Sequence, residues 1–310
     1  MSASERRGAW RILVPLVKGQ TARPLISVGD ALVAGAVEAA GLVLGIVETS
    51  FTNPMQGPDI DRIRDMLKWI ASSDYDHEGR PAMGVEVRFS TDIAASIRAA
   101  VMEHSCSTVV LAYPWLAEPR QHRLRAVCES LLEPAPSDLL LVRPALAAPE
   151  AAINPRSIMV AVRGGPHQAL INRLIKGFAR VAESKVTLVH VSRPSDHQDR
   201  RRRGREELQR LATSLGGIPV SIVTAEHANP MSVIMDVAAD HDLVVVGSHL
   251  DREAPARILS PALRQLLSRS PATVVLAHAA GAQDWQLPEV RSASGASGSR
   301  SPRAGVPSVG

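Results

Sequence analysis

The residues best placed to do chemistry sit at the ends of two apolar runs in the second half of the chain. Gly247, Ser248 and His249 follow the run Leu243 to Val246, and Arg163, Gly164 and Gly165 follow Ser157 to Val162. Glycines let successive backbone amides close on an anion with no Cβ in the way, and such amides form a nest for phosphate. Arg163 adds a positive charge, and Ser248 and Ser260 add hydroxyl or amide donors. The chemistry these types suggest is recognition of a phosphate-bearing ligand or another anion, the charge met through Arg163. The competing reading is a set of turn residues with no ligand.

Other polar clusters point to less. Arg200 to Arg203 and Arg205 form a basic patch that suits an acidic partner, nucleic acid or an anionic surface. No aromatic residue is interleaved, which speaks against stacking on single strands, and nucleic acid is not the expected partner. Positive charge opposes the dipole at a helix start, so the first of these arginines are expected in the loop before the helix. The ten histidines show no HExxH or other metal spacing. His77 with Asp74 and Asp76 reads as a polar loop cluster, and His190 as a satisfied strand residue. Cys106 and Cys128 read as small buried hydrophobes. No serine lies in a GxSxG setting, and there is no P-loop. No catalytic residue and no metal ligand is expected, and the chain does not read as an enzyme.

The elements that must position these residues follow from periodicity. Short apolar runs rich in branched residues alternate with segments of helical spacing. The first unit has strands at Arg11–Val17, Leu42–Thr49, Val85–Ser90, Thr108–Tyr113 and Asp138–Arg143. Its helices are expected at Pro24–Ala40, Asp59–Ser72, Thr91–His104 and Arg120–Leu132. The stretch from Pro144 to Pro155 is rich in Ala and Pro and reads as a linker. The grammar then restarts, with strands at Ser157–Val162, Lys185–Ser192, Pro219–Ala225, Leu243–Val246 and Thr273–Ala277. Helices are expected at His167–Ala182, Asp199–Leu215, Pro230–His241 and Ala256–Ser268.

The repeat has a period near 145 residues, read from the spacing of the runs. Its division is an arm at 1–10, a first repeat at 11–146, a linker at 147–155, a second repeat at 156–280 and a Ser/Gly/Pro-rich tail at 281–310. The tail has too few apolar residues to offset its ordering entropy. Alternation of this kind gives α/β architecture: two tandem five-stranded parallel sheets, Rossmann-like, with helices on both faces.

Composition sets the outer limits. Hydrophobic residues make up 45% of the 310 residues but aromatics only 3%, so the cores must be built from Val, Leu, Ile and Ala. The first 150 residues carry 15 basic and 18 acidic side chains, whereas residues 151–310 carry 20 and 13. The high pI is therefore local to the second half. No apolar run is long enough to span a membrane, the first residues lack a signal-peptide core, and two cysteines make no disulfide framework. A cytoplasmic protein is expected.

The pattern resembles a tandem universal stress protein over about residues 11–279. That family carries a nucleotide signature of a Gly after the fourth strand, a second Gly three residues on, and after nine residues a Gly followed by Ser or Thr. Here Gly247, Ser248 and His249 match its start, but Leu250 stands at the second glycine, and Ser260 and Pro261 at the last pair. Ile258, Leu259, Ser270 and Pro271 also fit. The family's nucleotide-contacting Asp at the end of the first strand is matched by Val17 and Arg163. Leu250 adds a branched side chain where bare backbone is needed, and Pro261 has no N–H. The first repeat ends its fourth strand Ala112, Tyr113, Pro114, with no glycine before Asp138, so no phosphate cradle is expected there. Its opening, RILVPLVKGQTARPL, resembles the stress-protein-type modules on the cytosolic ends of membrane transporters.

The resemblance implies an adenine-nucleotide alpha-hydrolase-like fold. It also implies a degenerate nucleotide site formed by Arg163, Gly164, Gly247, Ser248, His249 and Ser260. The expected function is non-catalytic and regulatory, in a stress response, through a protein partner. The alternative is a nucleotide sensor that binds an ATP- or AMP-type ligand weakly in the second repeat and regulates a membrane transporter. No cofactor is expected beyond weak adenine nucleotide. In that family the last strand can pair across a dimer interface. Tandem repeats would satisfy that pairing within one chain as a pseudo-dimer, and further homodimerisation stays open.

Overall fold

A computed structural model describes residues 10–17, 22–36, 38–48, 83–114, 119–132, 134–163, 165–248 and 259–281. The first half contains β1 (Trp10–Val17), α1 (Ala22–Ala34), β2 (Ala39–Glu48), β3 (Gly84–Ser90), α2 (Ile93–Glu103), β4 (Thr108–Ala112), α3 (Pro119–Leu132) and β5 (Asp138–Arg143). The second contains β6 (Ser157–Ala161), α4 (Gln168–Ala182), β7 (Lys185–Ser192), α5 (Gln198–Ser214) and β8 (Val220–Glu226). It continues with α6 (Pro230–Ala238), β9 (Leu243–Gly247), α7 (Pro261–Arg269) and β10 (Thr273–His278). The helix expected at Asp59–Ser72 lies outside the described residues, as do His77, Asp74 and Asp76.

The strands run β3-β2-β1-β4-β5-β10-β9-β6-β7-β8 in one ten-stranded sheet. Each half is parallel within itself, as expected, but the expectation of two separate sheets is corrected. β5 and β10 pair antiparallel, from Val274 opposite Arg143 to His278 opposite Leu139. The physical reason is the edge problem. The last strand of each half would otherwise present a row of unpaired N–H and C=O groups, and each strand satisfies the other's. The join makes the chain a pseudo-dimer. Two side chains fasten it from opposite ends. Ala280 N donates to Asp138 Oδ1 at 2.8 Å, and Ala145 N donates to Thr273 Oγ1 at 3.1 Å. Asp138 and Thr273 open β5 and β10, so these bonds are equivalents in the two halves.

Helices cover both faces. On one face, α1, α4 and α5 bury Leu25, Ile26, Leu174, Phe178, Leu208 and Leu211 against the sheet. On the other, α2, α3, α6 and α7 bury Ile97, Leu131, Ala238 and Leu266. The two halves also meet through their first helices, where a Cβ on Gly177 would lie 1.6 Å from the Ala31 carbonyl oxygen. A glycine is required there because the backbones themselves are in contact.

Most boundaries match the expected runs to within two residues. The chief correction is α1, expected to reach Ala40 but ending at Ala34. Ala39 and Ala40 have high helical propensity, but parallel pairing of Trp10 with Ala39 and Arg11 with Ala40 draws them into β2. At α2, Asp92 is the N-cap, its carboxylate accepting from Ala95 N at 2.9 Å. α7 begins at Pro261, and residues 256–258 of the expected helix lie outside the described residues.

Candidate functional site

β6 and β9 are adjacent parallel strands, so the segments after them do share the C-terminal end of the second half's sheet. That end is where an open α/β sheet holds ligands. Gly247 closes β9, and Ser248 N donates to the Ala277 carbonyl at 2.8 Å, which fixes the turn against β10. Ser248 Oγ lies 2.7 Å from His278 Nδ1. The space over Gly247 is taken by His167, which precedes α4: a Cβ on Gly247 would stand 2.8 Å from His167 Cδ2. Sequence reading missed both histidines as site residues. His167 stands 81 residues from Ser248, and no local spacing marks it.

The hydrogen bonds fix the state of His167. Ala279 N donates to its Nδ1 at 2.9 Å, so that nitrogen carries a lone pair. Nε2 then bears the proton and donates to the Ser248 carbonyl at 3.1 Å. The result is a neutral ring bridging the ends of β9 and β10. Its centroid is 5.7 Å from that of His278. His278 is only 2% exposed, and its Nε2 has no partner among the described residues. Burial, then the neighbouring His167, pushes its pKa down to about 4, so it too is neutral near pH 7.

An activated hydroxyl needs a base that is itself oriented by a third group, and among the described residues His278 Nε2 meets no such group. Among the described residues, no group of three His, Cys, Asp or Glu side chains is placed to hold a metal ion.

Comparison with solved structures gives the fold a place. The crystal structure of a putative universal stress protein from Pseudomonas aeruginosa UCBPP-PA14 superposes with a TM-score of 0.56 at 16% identity, covering 88% of this chain and 94% of that one. A universal stress protein from Archaeoglobus fulgidus DSM 4304 gives 0.55 at 14% identity, covering 87% and 97%. The fold is that of the universal stress proteins. The cytoplasmic domain of a prokaryotic cation chloride cotransporter shares it, with a TM-score of 0.54 at 12% identity over 87% of this chain and 95% of that one. No protein-family model and no curated protein matches the sequence.

Within this universal stress protein fold, the expected site residues divide. Gly247 and Ser248 come together, but with His167 and His278 rather than with open space. Gly164 and His249 lie outside the described residues. Ser260 caps α7 by position, with no side-chain cap bond, and Pro261 follows as the first helical residue. Arg163 faces a different neighbourhood. Burial and the charges of Arg200 and Arg193 lower its pKa, and Asp196 offsets them in part.

The basic patch is also corrected. Arg200 to Arg203 lie inside α5, not in the preceding loop. The dipole penalty is met by acids. Asp199 sits in the first turn, Arg200 pairs with Asp196 at 3.1 Å, and Arg202 reaches Asp199 at 3.4 Å. Arg201 pairs with Glu226 at 2.8 Å and donates to the carbonyls of Arg193, Pro194 and Asp196. It holds the β7–α5 loop in place. His190 is half-satisfied: Nδ1 lies 2.9 Å from the Val162 carbonyl, and Nε2 is buried without a partner among the described residues. Its ring packs on Gly204 of α5, where a Cβ would come within 2.1 Å of it. In the first half, Tyr113 occupies the place of Ser248 and is buried, and Cys128 Sγ donates to the Ala112 carbonyl at 3.4 Å.

Proposed function

We propose that this chain is a non-catalytic regulatory protein of the universal stress type, acting through a protein partner, with the nucleotide crevice of its second half closed by its own side chain. The observation that carries this reading is His167. Its ring lies on Gly247 and holds the Ser248 carbonyl, in the space where backbone would have to approach phosphate. Leu250 and Pro261 work in the same direction, the first by bulk and the second by its missing N–H. A membrane transporter is the partner class to try first, because the same fold serves as the cytoplasmic domain of a cation chloride cotransporter. No helix among the described residues is long and apolar enough to cross a membrane.

Calorimetric titration of the full chain with adenosine, AMP and ATP tests the closed crevice. Adenosine and AMP should give no saturable heat up to millimolar concentration, and ATP should bind no more tightly than tripolyphosphate. Micromolar binding of AMP would overturn the reading in favour of a nucleotide sensor. Phosphate release from ATP that survives further purification would overturn the non-catalytic part.

A further inference from the structure

A second feature of the same sheet end is independent of the closed crevice. Arg163 stands two residues beyond β6, and Arg193 one residue beyond β7. These strands are hydrogen-bonded neighbours, with Ala161 opposite Val189. Arg200 lies in the first turn of α5, which follows β7. Arg163, Arg193 and Arg200 therefore stand on one C-terminal edge of the sheet, and Arg163 is near enough to feel the charges of the other two. The nearby carboxylate, Asp196, is already engaged: Oδ1 accepts from Arg200 Nη1 at 3.1 Å and Oδ2 from the Arg193 amide at 2.7 Å. Among the described residues, the side chains of Arg163 and Arg193 make no hydrogen bond or ion pair.

Like charges that outnumber the acids beside them repel one another, and partial burial removes the water that would screen them. Arg163 shows both effects, desolvation first and the charges of Arg200 and Arg193 next. The arrangement is also built rather than loose. Arg201 ties down the 193–196 loop through three carbonyls and Glu226, so Arg193 is carried on a fixed turn.

We propose that Arg163, Arg193 and Arg200 form a binding site for a small phosphate-bearing polyanion of the pyrophosphate or oligophosphate class. Planar guanidinium forks match phosphate oxygens in pairs, and convergence from three elements suits a compact ligand with several oxygens. A long polyanion such as nucleic acid would instead follow the exposed arginines along α5. There Arg203 and Arg205 stand free of carboxylates among the described residues, beside Arg202, which is paired with Asp199.

The test is calorimetric titration of the full chain with pyrophosphate and tripolyphosphate, alongside a single-stranded oligonucleotide. Expected is one saturable site for the small anions, weakened at least tenfold in Arg163→Ala and in Arg193→Ala and unchanged in the double variant Arg203→Ala with Arg205→Ala. Thermal melts of each variant should match the parent, since all four side chains are exposed or lie in a loop. Rescue by Arg163→Lys to within a fewfold would show charge recognition rather than a structural loss. Absence of saturable binding at millimolar anion would overturn the proposal. Equal weakening in the Arg203/Arg205 variant, or tighter binding of the oligonucleotide lost in that variant alone, would also overturn it and assign the patch to a polymer. Because adenosine plays no part in this titration, its outcome is separate from that of the closed crevice.

Discussion

The C-terminal ends of the two half-sheets are equivalent by register and opposite in chemistry. In the first, Ala112 and Tyr113 end and follow β4, and Arg143 closes β5. In the second, Gly247 and Ser248 end and follow β9, and His278 closes β10. Tyr113 N donates to the Val142 carbonyl just as Ser248 N donates to Ala277, so the backbone frame is the same. The side chains differ. Arg143 is fully buried, donates to the Pro144 and Ser270 carbonyls at 2.8 Å each, and is pushed down to about 10 by burial. It joins the end of β5 to the C-terminus of α7 and so serves the junction of the halves. His278 instead turns to Ser248 within its own half. One copy of the repeat has put its strand end to structural use, while the other keeps the polar turn and fills it with imidazole.

The largest expected effect tests what both halves share. The contact of α1 with α4 leaves no room at Gly177, where a Cβ would meet backbone rather than a flexible side chain. Gly177→Ala must push the two helices apart and should cost about 3 kcal/mol or more. Chemical denaturation would measure it, with Gly216→Ala as the control, since there the nearest atom is 3.8 Å away. A Gly177→Ala protein as stable as the control would mean that the halves are not docked through these helices.

The next effect separates the halves. His278 is held neutral by burial first and by His167 second, with a folded pKa of about 4 against an ordinary value near 6.5. The depressed value means its contribution is fully present above pH 6.5 and is lost as pH falls toward 4. Across that window it should remove about 3 kcal/mol of stability. Urea unfolding at pH 7 and at pH 4.5 measures this, and His278→Gln should flatten the dependence. An unchanged slope in the variant would place the acid sensitivity elsewhere and weaken the contrast with Arg143, which keeps its charge throughout that range.

What the sequence disclosed and what it withheld follow the range of the forces involved. Strand β9 and strand β10 are apolar runs, and runs are local, so they were legible residue by residue. The β5–β10 pairing was legible only through family resemblance, because nothing in Asp138–Arg143 names its partner. Gly247 and Ser248 were found because glycine and serine after a strand have a backbone reason to be there. His167 was not, because its role comes from Ala279 and Ser248, which are remote in sequence and are met only after the sheet closes. The arginines of α5 were misplaced for a related reason. The dipole argument was sound, but His197 accepts from Asp199 N at the cap, and Asp196, Asp199 and Glu226 offset the charge.

The smallest effect probes the symmetry of the junction itself. Ala145 N to Thr273 Oγ1 and Ala280 N to Asp138 Oδ1 are equivalent bonds made by chemically different acceptors. Thr273 is buried, so Thr273→Val leaves the Ala145 amide unpaired at nearly constant volume and should cost about 1 kcal/mol. Asp138 is a less simple acceptor. Burial raises its pKa, while the Ala280 bond and the charge of Arg173 pull it down. Asp138→Asn keeps an acceptor oxygen and sheds a half-buried charge, so it should be nearly neutral at pH 7. A double variant should then lose no more than Thr273→Val alone, because the two bonds lie at opposite ends of a five-residue ladder and share no partner. A double-variant loss well beyond that sum would show instead that β5 and β10 part as one unit, and that the symmetric bonds are the two ends of a single cooperative latch.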